Sequence, residues 1–218
     1  MKNGYKTILR AGQGEIIEKK SRFIATVRPI ESEQEAILFI SEMKKKYWDA
    51  KHNCSAFIIG SNSEITRCSD DGEPSGTAGK PMLEVLLGHE ITNCAVVVTR
   101  YFGGTLLGTG GLVRAYTQAV QAGINDSTVI EKKHGVKMSF TTDYNGVRKV
   151  QYLLMNEGYP ILNSEYTDIV VIDSLVPIED SLNFQNKMTE GTNGKCKILL
   201  KNKIYYTEIN GEVLLFDE

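Results

Sequence analysis

The sequence predicts an α+β protein of two domains. Its 218 residues exceed the commonest size of a single domain, about 100–150 residues. Its 41% hydrophobic and 24% charged residues are typical of a globular chain. Strand and helix patterns occur in both halves, and glycine becomes less frequent after the region around Lys133. We therefore place one domain at residues 1–130 and a second at residues 133–218.

The first domain begins with two strands and a helix. Polar and apolar residues alternate over 15–18 and again over 22–30, which predicts neighbouring antiparallel strands. Ser32 is a favourable helix N-cap with Glu35 three residues later, and apolar residues then recur at helical spacing. A helix is predicted over 33–47.

A hairpin and a long loop follow. The apolar run at 54–59 ends at a Gly-Ser-Asn turn, and a second short run occupies 65–69, which predicts a β-hairpin. Residues 69–81 are too rich in Gly, Pro and Asp for regular structure and are predicted to form a structured loop. A helix is predicted to begin near Gly79-Lys80-Pro81 and to end near residue 88.

A strand, a glycine loop and a helix complete this domain. Residues 95–99 are continuously apolar and largely β-branched, as in a strand buried on both faces. A loop with several glycines covers 102–111, and alanine and leucine at helical spacing predict a helix from Leu112 to about Ile124.

The second domain shows the element order β-α-β-β-α-β. This order is that of a ferredoxin-like sandwich. The predicted strands are 136–141, 161–166, 169–177 and 197–200, and the predicted helices are 144–156 and 181–189.

Charge and cysteine content narrow the function classes. The net charge is −2, with 16 basic against 15 acidic residues up to Lys132 and 9 against 12 after it, so any contact with nucleic acid must be a local patch. We expect a cytoplasmic protein, since no run approaches a membrane helix and the start lacks a signal peptide. The four cysteines contain no C-x-x-C pair, which excludes a zinc ribbon.

The glycine loop is the strongest candidate for chemistry. Five glycines lie within residues 103–111, between a strand and a helix, where backbone N–H groups are able to hold an anion. Arg100 and Arg114 bracket the loop and are suited to clamp a phosphate or a carboxylate. The glycines are equally consistent with tight strand–helix packing. The spacing matches neither the dinucleotide fingerprint nor the P-loop.

Two further groups carry alternatives. The carboxylates of Asp70, Asp71 and Glu73 suit Mg²⁺, but acidic residues beside Gly and Pro more often form turns. His52 and Cys54 lie two residues apart on one strand, which allows a Cys–His pair, although a buried Cys beside a surface His is commoner. We assign no catalytic residue, no metal and no cofactor from these patterns.

Three stretches together closely resemble the signature of the YigZ/IMPACT family: 50–57, 69–81 and 100–116. The resemblance implies a first domain with the α/β fold of domain IV of elongation factor G and of a ribosomal protein's second domain. It implies a ferredoxin-like second domain similar to domain V of that factor. Eukaryotic relatives restrain a kinase of translation initiation but carry a different accessory domain, so that partner is not expected here. Some bacterial members carry a proline-dipeptidase label, which three scattered histidines do not support.

We therefore expect a translation-associated regulatory protein that binds RNA or the ribosome through a local phosphate-binding surface. An enzyme acting on a small phosphorylated or peptide substrate, and a protein-interaction module, remain alternatives. The functional loop is expected at Asp70, Asp71, Gly72, Glu73, Pro74, Ser75 and Gly76. The phosphate-binding surface is expected to comprise Lys51, His52, Lys80, Arg100, Gly103, Gly104, Gly108, Thr109, Gly110, Gly111 and Arg114.

Overall fold

The computed structural model describes residues 4–217 and has the predicted mixed α+β class. The chain divides into two compact units, residues 4–131 and 132–217. None of the helices within these residues has the length and apolar content needed to cross a membrane.

The N-terminal unit contains six strands and three helices. The strands are β1 Gly4–Arg10, β2 Gly12–Glu18, β3 Ser21–Pro29, β4 His52–Ile59, β5 Ile65–Ser69 and β6 Cys94–Tyr101. Five of them form an antiparallel sheet with the order β2-β3-β6-β4-β5. The helices are α1 Glu33–Lys46, α2 Gly79–Gly88 and α3 Thr109–Asp126.

The central strands of this sheet are covered on both faces. On one face, Met82 of α2 and Tyr116 of α3 belong to the same buried cluster as Cys54 and Val98. On the other face, Phe39 of α1 packs into a second cluster with residues of β4 and β6. All eight residues of β4 are buried, which explains why the apolar run 56–59 does not alternate with polar residues.

The predicted cap of α1 is confirmed. The Ser32 hydroxyl accepts a hydrogen bond from the Glu35 backbone N–H at 3.2 Å, and the Glu35 carboxylate accepts from the Glu31 N–H at 3.0 Å. Three lysines in the last turn complement the negative end of the helix dipole. The Lys-rich end of α1 is thus a stabilised helix terminus.

The C-terminal unit confirms the predicted ferredoxin-like order. The elements are β7 Thr128–Thr142, α4 Val147–Glu157, β8 Ile161–Tyr166, β9 Val170–Pro177, α5 Ser181–Gly191, β10 Lys197–Ile209 and β11 Glu212–Phe216. The strands run antiparallel in the order β10-β7-β9-β8, with β11 added at the β10 edge. Helices α4 and α5 contribute Leu154 and Phe184 to one core with Phe140 of the sheet.

The structure extends the predicted elements in several places. Strands β1 and β11 were not predicted, and β7 and β10 are longer than their apolar cores. β7 begins at Thr128, inside the expected connection, because Thr-Val-Ile favours extended backbone. Helix α3 begins at Thr109, three residues before the prediction, so Gly110 and Gly111 belong to its first turn rather than to the loop.

Candidate functional site

The two loops singled out by sequence meet because the strands before them belong to one sheet. His52 at the start of β4 is the cross-strand partner of Arg100 near the end of β6. The loop 70–78 connects β5 to α2, and the glycine loop 102–108 connects β6 to α3. Between them lies an open cavity of about 470 Å³. Its lining residues are Lys51, His52, Gly72, Glu73, Pro74, Arg100, Phe102, Leu106, Leu107, Gly108, Thr109 and Leu112.

A buried ion pair forms part of the wall of this cavity. Arg100 Nη1 lies 2.6 Å from Glu73 Oε1, and the two side chains are only 7% and 3% exposed. The Arg100 guanidinium also lies 5.3 Å from the ring centre of Phe23 and 5.7 Å from that of Phe102. Arg100, expected to clamp a phosphate together with Arg114, therefore holds Glu73 in the structure.

Three more side chains extend this network into the core. The Tyr116 hydroxyl donates to Glu73 Oε1 at 2.8 Å, and His52 Nε2 lies 3.9 Å from Glu73 Oε2. The Cys54 thiol donates to the Asp70 carbonyl oxygen at 3.0 Å and lies 3.3 Å from the Tyr116 hydroxyl. Glu73 is thus the centre of a buried polar cluster, and its position is fixed from β4, β6 and α3.

The cluster does not activate Cys54 as a nucleophile. Burial raises the pKa of the Cys54 thiol to about 12, and the neighbouring carboxylates act in the same direction, against the hydrogen bond with Tyr116. A nucleophilic cysteine needs a lowered pKa, because the thiolate is the reactive form. The geometry is therefore that of a structural thiol.

Asp70 organises the loop 70–78 from within. Its Oδ1 accepts from the backbone N–H groups of Ala78 and Gly79 at 3.0 and 2.8 Å, and its Oδ2 accepts from Gly76 N–H at 2.9 Å. Burial raises the pKa of Asp70, but the three donors outweigh it and the pKa lies below its ordinary value. The Asp70 carboxylate therefore links the loop to the start of α2.

Asp71 connects the same loop to its neighbours. Its carboxylate accepts from the Asn53 backbone N–H at 2.7 Å and pairs with Lys44 Nζ at 2.5 Å, and its carbonyl oxygen lies 2.8 Å from His52 Nδ1. Burial raises the pKa of Asp71, yet Lys44 and the Asn53 N–H together bring it below its ordinary value. Asp70, Asp71 and Glu73 thus have separate protein partners. Within residues 4–217, no three His, Cys, Asp or Glu side chains converge as metal ligands.

The glycines of the second loop have two different roles. A Cβ at Gly103 would lie 2.0 Å from the Lys20 carbonyl carbon, so this glycine permits a close backbone contact. Its N–H donates to Ser21 Oγ at 3.1 Å. Gly104 and Gly108 have φ values of 83° and 73° and face open space, since a Cβ there would meet nothing within 4 Å. The packing interpretation holds at Gly103, and the other two glycines shape an exposed turn.

The start of α3 is exposed and has no side-chain cap. Gly108 stands at the N-cap position, where it offers no side-chain acceptor, and Thr109 and Gly110 are exposed. Arg114 follows on the next turn and is exposed, and it forms no ion pair or hydrogen bond with the described part of the chain. A Cβ at Gly110 would lie 3.6 Å from Arg114 Nη1, which places the guanidinium beside the first turn.

The remaining predicted residues lie around this centre. Lys51 Nζ is 5.4 Å from the ring centre of Phe102 at the cavity wall. Lys80 lies in the first turn of α2, 4.0 Å from Glu84, and does not line the cavity. Ser75 and Gly76 form the exposed tip of the loop 70–78.

Sequence reasoning missed the apolar part of the site. Phe102, Leu106, Leu107 and Leu112 line the cavity, and Tyr116 holds Glu73 from below. Exposed apolar residues inside a glycine loop are the available signal, because a loop that serves only as a connection is usually polar. Leu106 is 84% exposed and Phe102 44%.

Comparison with known sequences places these loops in a family. Residues 19–124 match the profile of the Impact N-terminal domain, and residues 140–195 match a domain of unknown function, DUF1949. The chain is 43% identical over 198 residues to the IMPACT family member YvyE of Bacillus subtilis (strain 168), with 91% of each chain covered. This chain belongs to the IMPACT family.

Other relatives and a solved structure agree with that assignment. The IMPACT family member YigZ of Escherichia coli (strain K12) is 34% identical over 183 residues, covering 83% of this chain and 90% of its own. Protein IMPACT of Xenopus laevis is 36% identical over 112 residues and matches 49% of this chain. A crystal structure described as that of a hypothetical protein has 31% identity and a TM-score of 0.60, covering 93% of this chain and 99% of that one.

Proposed function

We propose that this IMPACT family member is a translation-associated regulatory protein whose N-terminal domain binds RNA or the ribosome through phosphate contacts. The observation that carries the proposal is the exposed, uncapped start of α3 at Gly108–Thr109, with Arg114 beside it. An 18-residue helix directs free N–H groups and partial positive charge at this point. Phosphate binds at such helix starts in many folds.

The small residues of the first turn support close approach. Gly108, Gly110 and Gly111 have no side chains that would keep a phosphate from the backbone donors. Arg114 reaches the same turn, and a planar guanidinium binds phosphate with two parallel hydrogen bonds. Phosphate contacts are therefore assigned to the first turn of α3 and to Arg114.

Other predicted cations take supporting roles in this proposal. Lys51 adds positive charge at the cavity wall, and Lys80 adds charge at the start of α2. His52 and Arg100 hold the loop 70–78 in place through Asp71 and Glu73. Because few cations are exposed around the start of α3, free RNA is expected to bind weakly. In this proposal a ribosomal surface supplies the remaining contacts.

A filter-binding titration with a single-stranded RNA across a salt series tests the proposal. Two or three phosphate contacts give a slope of log K against log salt of about −1.4 to −2.1, since each contact on a single strand contributes about −0.7. Arg114→Gln is expected to reduce the slope by about 0.7 at every RNA sequence tested.

Arg67→Gln is the matched control. Arg67 is exposed on β5 and does not line the cavity. This variant is expected to keep the slope of the parent protein. The absence of RNA retention at about 50 mM salt would contradict the proposal, as would equal slopes for both arginine variants and the parent. Co-sedimentation with ribosomes without any retention of RNA would instead support the protein-interaction alternative.

A further inference from the structure

We propose that the cavity between the two loops binds a small organic anion, a molecule with a carboxylate, sulfonate or phosphate group on an apolar body. The volume of about 470 Å³ lies within the range of sites that enclose small molecules, roughly 300–1,000 Å³. This inference goes beyond the proposed function, because contacts with an RNA backbone need no apolar cavity.

The walls define the apolar body of the ligand. Phe102, Leu106, Leu107, Leu112 and Pro74 all line the cavity. Such sites combine a mainly apolar lining with a few polar groups that orient the ligand. Leu106 is 84% exposed and Phe102 44%, so the rim presents apolar surface that a bound molecule would remove from water.

Other residues of the lining define the charge of the ligand. Lys51 and the uncapped start of α3, at Gly108 and Thr109, line it together. Both attract an anion, the first by its ammonium group and the second by its N–H groups and dipole. Glu73 also lines the cavity, but its charge is matched by Arg100 at 2.6 Å.

Arg100 provides an independent observation, because one of its buried hydrogen-bond donors has no partner in the described part of the chain. Its side chain is 93% buried and lines the cavity, and its Nε has no hydrogen-bond partner within residues 4–217. More than nine in ten buried polar groups in proteins have a partner. The cavity wall therefore includes an arginine with one buried donor that the described part of the chain leaves unsatisfied.

A pair of fluorescent probes tests the proposal on the full chain. The anionic probe is 8-anilinonaphthalene-1-sulfonate, and the neutral probe is N-phenyl-1-naphthylamine, which has the same apolar body without the sulfonate. We expect one bound molecule of the anionic probe per chain. Lys51→Met is expected to weaken the anionic probe about fivefold and to leave the neutral probe unchanged, because it removes one charge and keeps the apolar stem.

A second variant tests the apolar wall. Leu106→Gln is expected to weaken both probes about threefold to fivefold, since it removes an apolar side chain from the rim while the exposed position leaves the core intact. Lys45→Met and Leu182→Gln are the matched controls. Both residues are exposed and neither lines the cavity.

The outcomes separate this proposal from the proposed function. Equal affinity of the anionic probe for the parent, Lys51→Met and Leu106→Gln would overturn the small-molecule site, as would equal effects of Lys51→Met on both probes. RNA retention by Leu106→Gln at the level of the parent is expected in either case. A smaller salt slope of RNA binding in Arg114→Gln, together with unchanged probe binding, would support both assignments.

Discussion

The buried pair of Arg100 and Glu73 allows a quantitative test of the network below the cavity. The two charges lie 2.6 Å apart with 7% and 3% of their side chains exposed. Arg100→Met leaves the Glu73 carboxylate with Tyr116 as its remaining close partner, at 2.8 Å. Removing one partner of such a buried pair costs about 3–5 kcal/mol of unfolding free energy, because the other charge stays uncompensated.

A double-mutant cycle isolates the coupling between the two side chains. Glu73→Gln alone leaves the Arg100 charge buried and is expected to cost a similar amount. The double variant Arg100→Met/Glu73→Gln removes both charges and keeps an acceptor for Tyr116. We expect its loss of stability to be smaller than the sum of the two single losses by about 2 kcal/mol or more.

Urea unfolding, monitored by hydrogen exchange, measures the unfolding free energies of this cycle separately for the two units. Amides of β6 report the N-terminal unit, and amides of β9 in the C-terminal unit are the internal control. The exposed pair of Arg22 and Glu15, at 2.8 Å with side chains 50% and 39% exposed, provides a matched cycle. Its coupling is expected to be much weaker than that of the buried pair, because solvent screens exposed charges. A buried coupling no larger than this surface coupling would refute the reasoning.

Three further predictions concern the loops and the thiols. The first concerns stability in acid. Asp70 has a lowered pKa, so its contribution to the unfolding free energy is complete above the ordinary carboxyl pKa and is lost as the pH falls through the pKa of the folded protein. Asp70→Asn is thus expected to lose less unfolding free energy than the parent between about pH 5 and about pH 2, and an equal loss would contradict this role. Thiol labelling by iodoacetamide at about pH 8, followed by mass spectrometry, is expected to modify the exposed Cys68 and to leave the buried Cys54 thiol unmodified until urea unfolds the chain. The last concerns packing of the glycine loop. Gly103→Ala is expected to lower the unfolding free energy, measured with urea, by about 1–3 kcal/mol, since its Cβ would overlap the Lys20 backbone. Gly88→Ala, in open space at the end of α2, is expected to change stability by less than about 1 kcal/mol, and equal effects of the two would disprove the contact.

Local patterns were sufficient for most of the fold. The Ser32 cap, the continuous apolar run of β6 and the β-α-β-β-α-β order each depend on residues close in sequence. β1 and β11 lack a clear alternating pattern, and pairing with other parts of the sheet determines such strands more than propensity does.

Only part of the site was predictable, because some of its contacts join residues that are far apart in sequence. The two loops could be identified from their Gly, Pro and Asp content, and they do line one cavity. The pairing of Arg100 with Glu73 spans 27 residues and the bond from Tyr116 to Glu73 spans 43, so no local spacing indicates either. An arginine beside a glycine loop has the same sequence signal whether it binds a ligand or a buried carboxylate.

The contact of Gly103 with the Lys20–Ser21 turn separates a fixed part of the cavity rim from an exposed part. The rim is fixed at its origin by backbone packing and by the bond to Ser21, and it is fixed at its end by the first turn of α3. Between them, Gly104 and Gly108 bound a stretch of three residues, in which Leu106 is 84% exposed and lines the cavity. Because Leu106 is exposed and lies outside the buried core, substitutions at this position are expected to change the lining of the cavity while the scaffold around Glu73 stays the same.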